Sequence, residues 1–253
     1  MVDAKILARR ALALLDLTDL TDTCTPAAIE ALCARAITPH SQVAAVCIYP
    51  AFVKQAKALL AGSGVKVATV INFPHGGRDI KAVMAEAKAV LADGADEIDH
   101  VLAYKAFMNG HISSVAEMVS PIAALMPKHT VLKVILETGA LKYPALIEWA
   151  SALAIESVAQ FIKTSTGKID VSATPEAAGI MLKTIKASRM PVGFKAAGGI
   201  KTLDDAATYL ALADEILGAD WAQPATFRFG ASGLLDVLLA ALDGKTSELQ
   251  TGY

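Results

Sequence analysis

Nowhere in the 253 residues does an apolar run approach the ~20 needed to cross a bilayer as a helix. Residues 1–10 alternate charged and apolar side chains on a helical period and lack a continuous apolar stretch with a cleavage site, so no signal peptide is expected. Charge of one sign is also missing. The formal net charge is −2 and no basic run stands out, which removes a general attraction to nucleic acid or to an anionic membrane, and any anion site must be local. Cysteine is scarce. Cys24, Cys33 and Cys47 form an odd set without metal-ligand spacing, which suits a reducing cytosol. No Gly-x-Gly-x-x-Gly turn follows the first expected strand, which weakens a doubly wound dinucleotide fold. Low-complexity segments and interdomain linkers are lacking too, so residues 1–253 read as one domain.

What is present is a 54% hydrophobic chain in which short apolar runs alternate with helical patterns. An amphipathic helix is expected over about residues 3–15, followed by a polar loop to residue 22. Thr25-Pro26 supplies an N-cap and a first helical residue for the next helix. Strands are expected at 44–49, 65–72, 97–102, 131–137, 158–163, 192–195, 215–218 and 227–232. Eight near-continuous apolar strands separated by helices predict a parallel sheet covered on its outer face, and eight such units in this length predict a (β/α)8 barrel with an extra N-terminal helix. The polar tail, residues 243–253, is expected to be mobile. In such a barrel, functional groups gather at the C-terminal ends of the strands, where Cys47, Asn72, Asp99, Glu137, Lys163, Lys195 and Ser232 fall.

The most informative stretch is Phe161-Ile162-Lys163-Thr164-Ser165-Thr166-Gly167-Lys168, a buried strand breaking into a polar loop. A lysine carried into a barrel without a carboxylate partner is penalised in its charged form, which is how an amine nucleophile is prepared. Lys195 ends another apolar run, and Asp99 lies on the strand face opposite Ile98 and His100. A second cation near Lys163 would disfavour its charge further, and Asp99 paired with Lys195 would relay protons through water. The plainer alternatives are a lysine head that leaves the strand end for solvent, and an Asp99–Lys195 ion pair that only holds the barrel together. Gly167-Lys168, Gly198-Gly199 and Gly230-Ala231-Ser232-Gly233 each follow a late strand and precede a helix. Glycines there let backbone N–H groups approach a phosphate, although most such glycines are simple turn residues.

These motifs, together with Cys47-Ile48-Tyr49-Pro50, Asn72-Phe73-Pro74-His75-Gly76, Leu136-Glu137-Thr138-Gly139 and Arg228-Phe229-Gly230, resemble the deoxyribose-phosphate aldolases, in the long form that ends in a tyrosine tail. The resemblance runs from about residue 15 to Tyr253. It implies a cytoplasmic, cofactor- and metal-independent lyase that cleaves 2-deoxy-D-ribose 5-phosphate reversibly to acetaldehyde and D-glyceraldehyde 3-phosphate. It further implies that Lys163 is the Schiff-base lysine, Lys195 the lysine that perturbs it, Asp99 the relay carboxylate and Tyr253 a mobile proton-transfer residue. The implied substrate pocket contains Asp16, Thr18, Cys47, Phe73, Thr166 and Lys168, with Gly167, Gly198, Gly199, Ser232 and Gly233 around the phosphate. Small aldehydes and a sugar phosphate are the expected partners; barrel helices with Leu and Ala faces could support a homodimer, but no stripe separates interface from core.

Four positions depart from the family pattern. Ala196 stands in place of a usual proline, which predicts a looser turn after Lys195. His100 replaces an apolar residue and by alternation points away from the lumen. Gly233 replaces a usual serine, which predicts a weaker preference for phosphorylated acceptors. Ala103 also replaces a proline. Cys47 is expected either to be an inert packing residue or to capture unsaturated aldehydes formed from two acetaldehydes. Other Schiff-base barrel aldolases or transaldolases, an isomerase with Glu137 as base, and a phosphate-ligand binding protein without turnover remain open on the residues alone.

Overall fold

The computed structural model of the chain describes residues 3–245. Tyr253, expected to act from the tail, lies outside the described residues. Eight parallel strands close in sequential order into a barrel, β1 (Leu15–Asp19), β2 (Ala45–Ile48), β3 (Lys66–Ile71), β4 (Glu97–Val101), β5 (Val131–Ile135), β6 (Phe161–Lys163), β7 (Gly193–Ala197) and β8 (Phe227–Ala231). Helices follow the strands around the outside, and the extra helix Ala4–Ala13 packs against Leu234–Leu242. This is the (β/α)8 fold.

Two expected elements are exchanged. Leu15–Asp19, read as part of a loop, is the first strand and pairs with both β2 and β8. Residues 215–218, read as a strand, close the helix Leu203–Leu217, which Gly218 terminates with a φ of 104°. The count of eight survives because one strand is gained and one lost, and Lys163 and Lys195 move to β6 and β7. The strand carrying Lys163 is also shorter than expected, since Val158 precedes it, half exposed, with a left-handed φ of 64°.

Local chemistry explains the main boundaries. Thr25, Thr174 and Thr202 each accept a backbone N–H three residues on, capping helices that start at Pro26, Pro175 and Leu203. Asp205 reaches back to the Thr202 backbone and completes a capping box. The main apolar core fills the layer between strands and helices, with Val46, Ile98, Val134, Ile162 and Phe194 on its strand side. A smaller apolar cluster, Leu20, Ala45, Cys47, Ala68 and Val70, belongs to the β2–β3 half of the lumen. The other half of the lumen is charged, and that asymmetry positions the site.

Candidate active site

Strand register decides what meets in the lumen. Asp99 is opposite Lys133, Lys163 is opposite Lys195, and Lys195 is opposite Arg228, so these side chains share the inner face. Lys163 Nζ donates to Asp99 Oδ2 at 2.7 Å and Lys195 Nζ donates to the same oxygen at 2.8 Å. The other oxygen, Asp99 Oδ1, accepts from Lys133 Nζ at 3.0 Å. The premise of a lysine without a carboxylate partner is therefore revised, because Asp99 is the partner of Lys163.

The strand sequences of β4, β5 and β8 contribute three further charges. Lys133 Nζ donates to Glu97 Oε2 at 2.5 Å, Arg228 Nη2 to Glu97 Oε1 at 2.8 Å, and Arg228 Nη1 to Asp16 Oδ1 at 2.6 Å. Asp16 Oδ2 meets Lys195 Nζ at 2.5 Å as an ion pair rather than an aligned hydrogen bond. All of these groups are buried. Burial alone would raise the Asp99 carboxyl, but Lys133, Lys163 and Lys195 outweigh it and hold the group well below the usual carboxylate range. Asp16 is likewise held down, by Lys195, Arg228 and Lys133 against its burial. For Lys195 burial disfavours the charge, yet Asp16 and Asp99 keep its ammonium far above the ordinary value. Lys195 is thus a fixed cation.

Above this layer opens a cavity of about 290 Å³ whose floor includes Lys163. Thr18 lines it from β1, Thr166 to Lys168 from the loop after β6, Gly198 and Gly199 from the loop after β7, and Ser232 and Gly233 from the loop after β8. Gly198 and Gly199 have φ values of 85° and 82°, which a side chain would strain. Gly233 caps the helix Leu234–Leu242 without a side-chain hydrogen bond. The loop after β6 is held by Glu137, whose carboxylate accepts from Thr166 Oγ1 at 2.6 Å and from its N–H at 3.2 Å. Burial raises Glu137, with both Thr166 bonds and Lys163 acting in the opposite direction. At the rim, Lys168 Nζ donates to Asp22 at 3.1 Å and Tyr49 Oη donates to the same oxygen at 3.2 Å.

The cavity unites Thr18, Lys163, Thr166, Gly167, Lys168, Gly198, Gly199, Ser232 and Gly233. Asp16, Asp99 and Lys195 lie beneath it, fully buried. Cys47 is buried beside them, with Sγ 3.9 Å from Asp99 Oδ2, and burial pushes its thiol up. Phe73 sits partly buried against Tyr49, ring centroids 6.0 Å apart, outside the cavity lining. Ala196 lies inside β7 rather than in a turn. The turn starts at Gly198, after Thr164 Oγ1 has clasped the backbone N–H of Ala197 at 3.0 Å. His100 is buried on the opposite side of β4 from Asp99, and neither ring nitrogen has a partner. Ala103 sets the start of the short helix Tyr104–Met108.

Sequence reasoning singled out two lysines and one carboxylate in the lumen and passed over Lys133, Glu97 and Arg228. Their signal was legible: Lys133 and Arg228 each interrupt an apolar strand, and Glu97, which opens β4, shares strand parity with Asp99. A larger groove of about 530 Å³ lies between the outer helices Pro144–Glu156 and Pro175–Ser188, remote from these charges. Among the described residues, no group of three or more His, Cys, Asp or Glu side chains is arranged to hold a metal ion.

A (β/α)8 barrel with an amine-bearing floor, a buried carboxylate and a glycine-lined mouth defines the class of barrel lyases that work on carbonyl compounds. The sequence matches the DeoC/LacD family aldolases over residues 10–239, and the chain belongs to that family. A deoxyribose-phosphate aldolase of Agrobacterium fabrum (strain C58) is 52% identical over 244 residues, covering 96% of this chain and 94% of that protein. Among solved structures, a deoxyribose phosphate aldolase from Aeropyrum pernix, described as tetrameric, is 25% identical with a TM-score of 0.76 and covers 95% of this chain and 92% of its own. QR15, an aldolase, is 29% identical with a TM-score of 0.78 over 96% of this chain and 97% of its own. The chain is an aldolase.

Proposed function

We propose that this aldolase cleaves 2-deoxy-D-ribose 5-phosphate reversibly to acetaldehyde and D-glyceraldehyde 3-phosphate through an imine on Lys163. The observation that carries the reading is the position of Lys163 Nζ, on the cavity floor and 2.7 Å from Asp99 Oδ2. The amine adds to the C1 carbonyl of the open-chain sugar, and the carbinolamine takes up a proton and loses water, which leaves a cationic imine. Loss of the C3 hydroxyl proton lets the C2–C3 bond break, and its electron pair moves into the imine as the enamine forms. The aldehyde at C3 departs as glyceraldehyde 3-phosphate. Protonation of the enamine carbon and hydrolysis then release acetaldehyde and return the amine. Because the imine nitrogen takes the electrons, the route calls for neither metal nor cofactor.

Asp99 is the proposed proton relay, since Oδ2 contacts both Lys163 and Lys195 and stays ionised. Lys195 contributes positive charge beside the imine nitrogen. Thr18, Thr166 and Lys168 are positioned to hold sugar hydroxyls, and the backbone around Gly167, Gly198, Gly199, Ser232 and Gly233 is suited to the phosphate. Tyr253 retains its proposed role as a tail residue that assists proton transfer. Glu137 is engaged by Thr166, which disfavours an isomerase with Glu137 as a free base. A homodimer in the cytoplasm is the proposed setting. The free cysteines Cys24, Cys33 and Cys47 fit a reducing compartment, and no helix among the described residues is long and apolar enough to cross a membrane.

Borohydride trapping with acetaldehyde tests the reading. An ethyl adduct mapped to Lys163, absent from Lys163→Ala, together with acetaldehyde release from 2-deoxy-D-ribose 5-phosphate, is the expected result. A folded chain that traps on no lysine would overturn it.

A further inference from the structure

The buried charges close on themselves. From Asp99 the contacts run to Lys133 at 3.0 Å, to Glu97 at 2.5 Å, to Arg228 at 2.8 Å, to Asp16 at 2.6 Å, to Lys195 at 2.5 Å and back to Asp99 at 2.8 Å. Anion and cation alternate around this ring. Three carboxylates (Asp16, Glu97, Asp99) face three cations (Lys133, Lys195, Arg228), so the formal sum is −3 + 3 = 0. Lys163 is outside the ring and joins it at one point, Asp99. Each ring member has at least two opposite charges beside it, with Lys133 and Asp16 also 3.9 Å apart across the ring, whereas Lys163 has one, already shared with Lys133 and Lys195.

We propose that the neutral ring Asp99–Lys133–Glu97–Arg228–Asp16–Lys195 is the device that leaves Lys163, which shares Asp99 with two ring cations, as the surplus cation among the described lumen residues, and that Lys133, Glu97 and Arg228 are positioning residues for imine formation. This rests on the imine reading above. None of the three lines the cavity, so they cannot touch substrate there and act only through Asp99 and Lys195. A buried charge without a counter-charge of its own is costly, and the surplus falls on the one cation outside the ring. Lys133 and Arg228 resist neutralisation. Burial works against the charge of Lys133 and of Arg228, but their carboxylate neighbours outweigh it.

The groups facing Lys163 are few. Asp99 comes from β4 as its ion-pair partner, Lys195 from β7 as its register neighbour and the Cys47 thiol from β2, while Lys133 of β5, Asp16 of β1 and Arg228 of β8 connect to it through Asp99 and Lys195. Glu137 follows β5 and acts on Lys163 at longer range while its oxygens hold Thr166.

Ring charge predicts the sign of each substitution. Glu97→Gln leaves the ring at +1, so protonation of Lys163 is opposed and imine formation persists to lower pH. Lys133→Met leaves it at −1, so the lysine cation is favoured and imine formation is confined to higher pH. The experiment measures the pH midpoint of acetaldehyde trapping on Lys163 of the full chain, with the adduct mapped by mass. The midpoint is expected to fall by about one pH unit in Glu97→Gln, rise by about one in Lys133→Met, and return toward the parent value in the double variant. Where either variant fails to fold, Asp16→Asn and Arg228→Met repeat the same two signs on the other side of the ring. Midpoints that stay put, or that move in the same direction for opposite charge changes, overturn the proposal while leaving the imine intact. Absence of an adduct in the parent chain overturns the imine reading itself, and the ring's role with it.

Discussion

Gly233 shows how a single missing hydroxyl is read at the residue scale. A β-carbon there would meet nothing within 4 Å, and the backbone has an ordinary right-handed φ of −95°, so serine fits without strain. Gly233→Ser is expected to lower KM for the phosphorylated substrate several-fold, in line with ~0.5–1.5 kcal/mol for one added hydrogen bond. Its effect on unphosphorylated aldehydes should be small. An unchanged KM ratio between the two substrate types would refute the hydroxyl argument. Cys47 is a second single-residue case. With the thiol raised by burial, addition of crotonaldehyde is expected to be slow at neutral pH and faster as pH rises. Intact-mass analysis checks this, and Cys47→Val should abolish the adduct.

Elements carry the positions of the catalytic groups, and here the sequence was only partly readable. A short apolar run cannot by itself separate a strand from the last turn of a helix. Residues 215–218 look like a strand, yet they continue an α-helical run begun by the Thr202–Asp205 capping box. Leu15–Asp19 escaped notice for the opposite reason, because Asp16 and Thr18 break its apolar character and are lumen-side residues of the site. The motifs around Lys163 and Lys195 were legible since they combine an apolar strand with an abrupt polar end. Lys133 and Arg228 lie within β5 and β8 and Glu97 opens β4, so their charges were legible, but their joint role depends on register between strands far apart in sequence. On β8, a β-carbon at Gly230 would approach Lys195 Cε and Ala197 Cβ, each at 3.0 Å. Gly230→Ala is therefore expected to displace Lys195 and reduce kcat roughly ten- to a hundred-fold, with a smaller change in KM. Steady-state kinetics with the phosphorylated substrate measures that split.

For the whole molecule, acid is the informative stress. His100 is fully buried without a partner, and burial lowers its pKa from 6.5 to about 3. A base whose folded value is depressed binds its proton more readily in the unfolded chain. Stability is therefore expected to fall as pH drops from about 6.5 toward 3, by up to roughly 4 kcal/mol. Asp16 and Asp99, also depressed, add a loss at lower pH, since their ionised forms stabilise the fold and protonation removes that contribution. His100→Leu should flatten the upper part of this profile in denaturant titrations at stepped pH, and the same slope in both proteins would contradict the assignment. Removing one member of the charge ring is expected to cost about 3–5 kcal/mol, because the charge left behind stays buried.

The ring and the cavity lining have no residue in common, and among the described lining residues Lys163 alone is ion-paired to the ring. Reactivity and substrate choice are thus housed in separate sets of side chains with a single joint. Libraries drawn from the loops after β6, β7 and β8 can redirect the enzyme toward bulkier or uncharged aldehydes without disturbing the group that forms the bond. Variation confined to the lumen should instead retune the working pH of whichever aldehyde the loops accept.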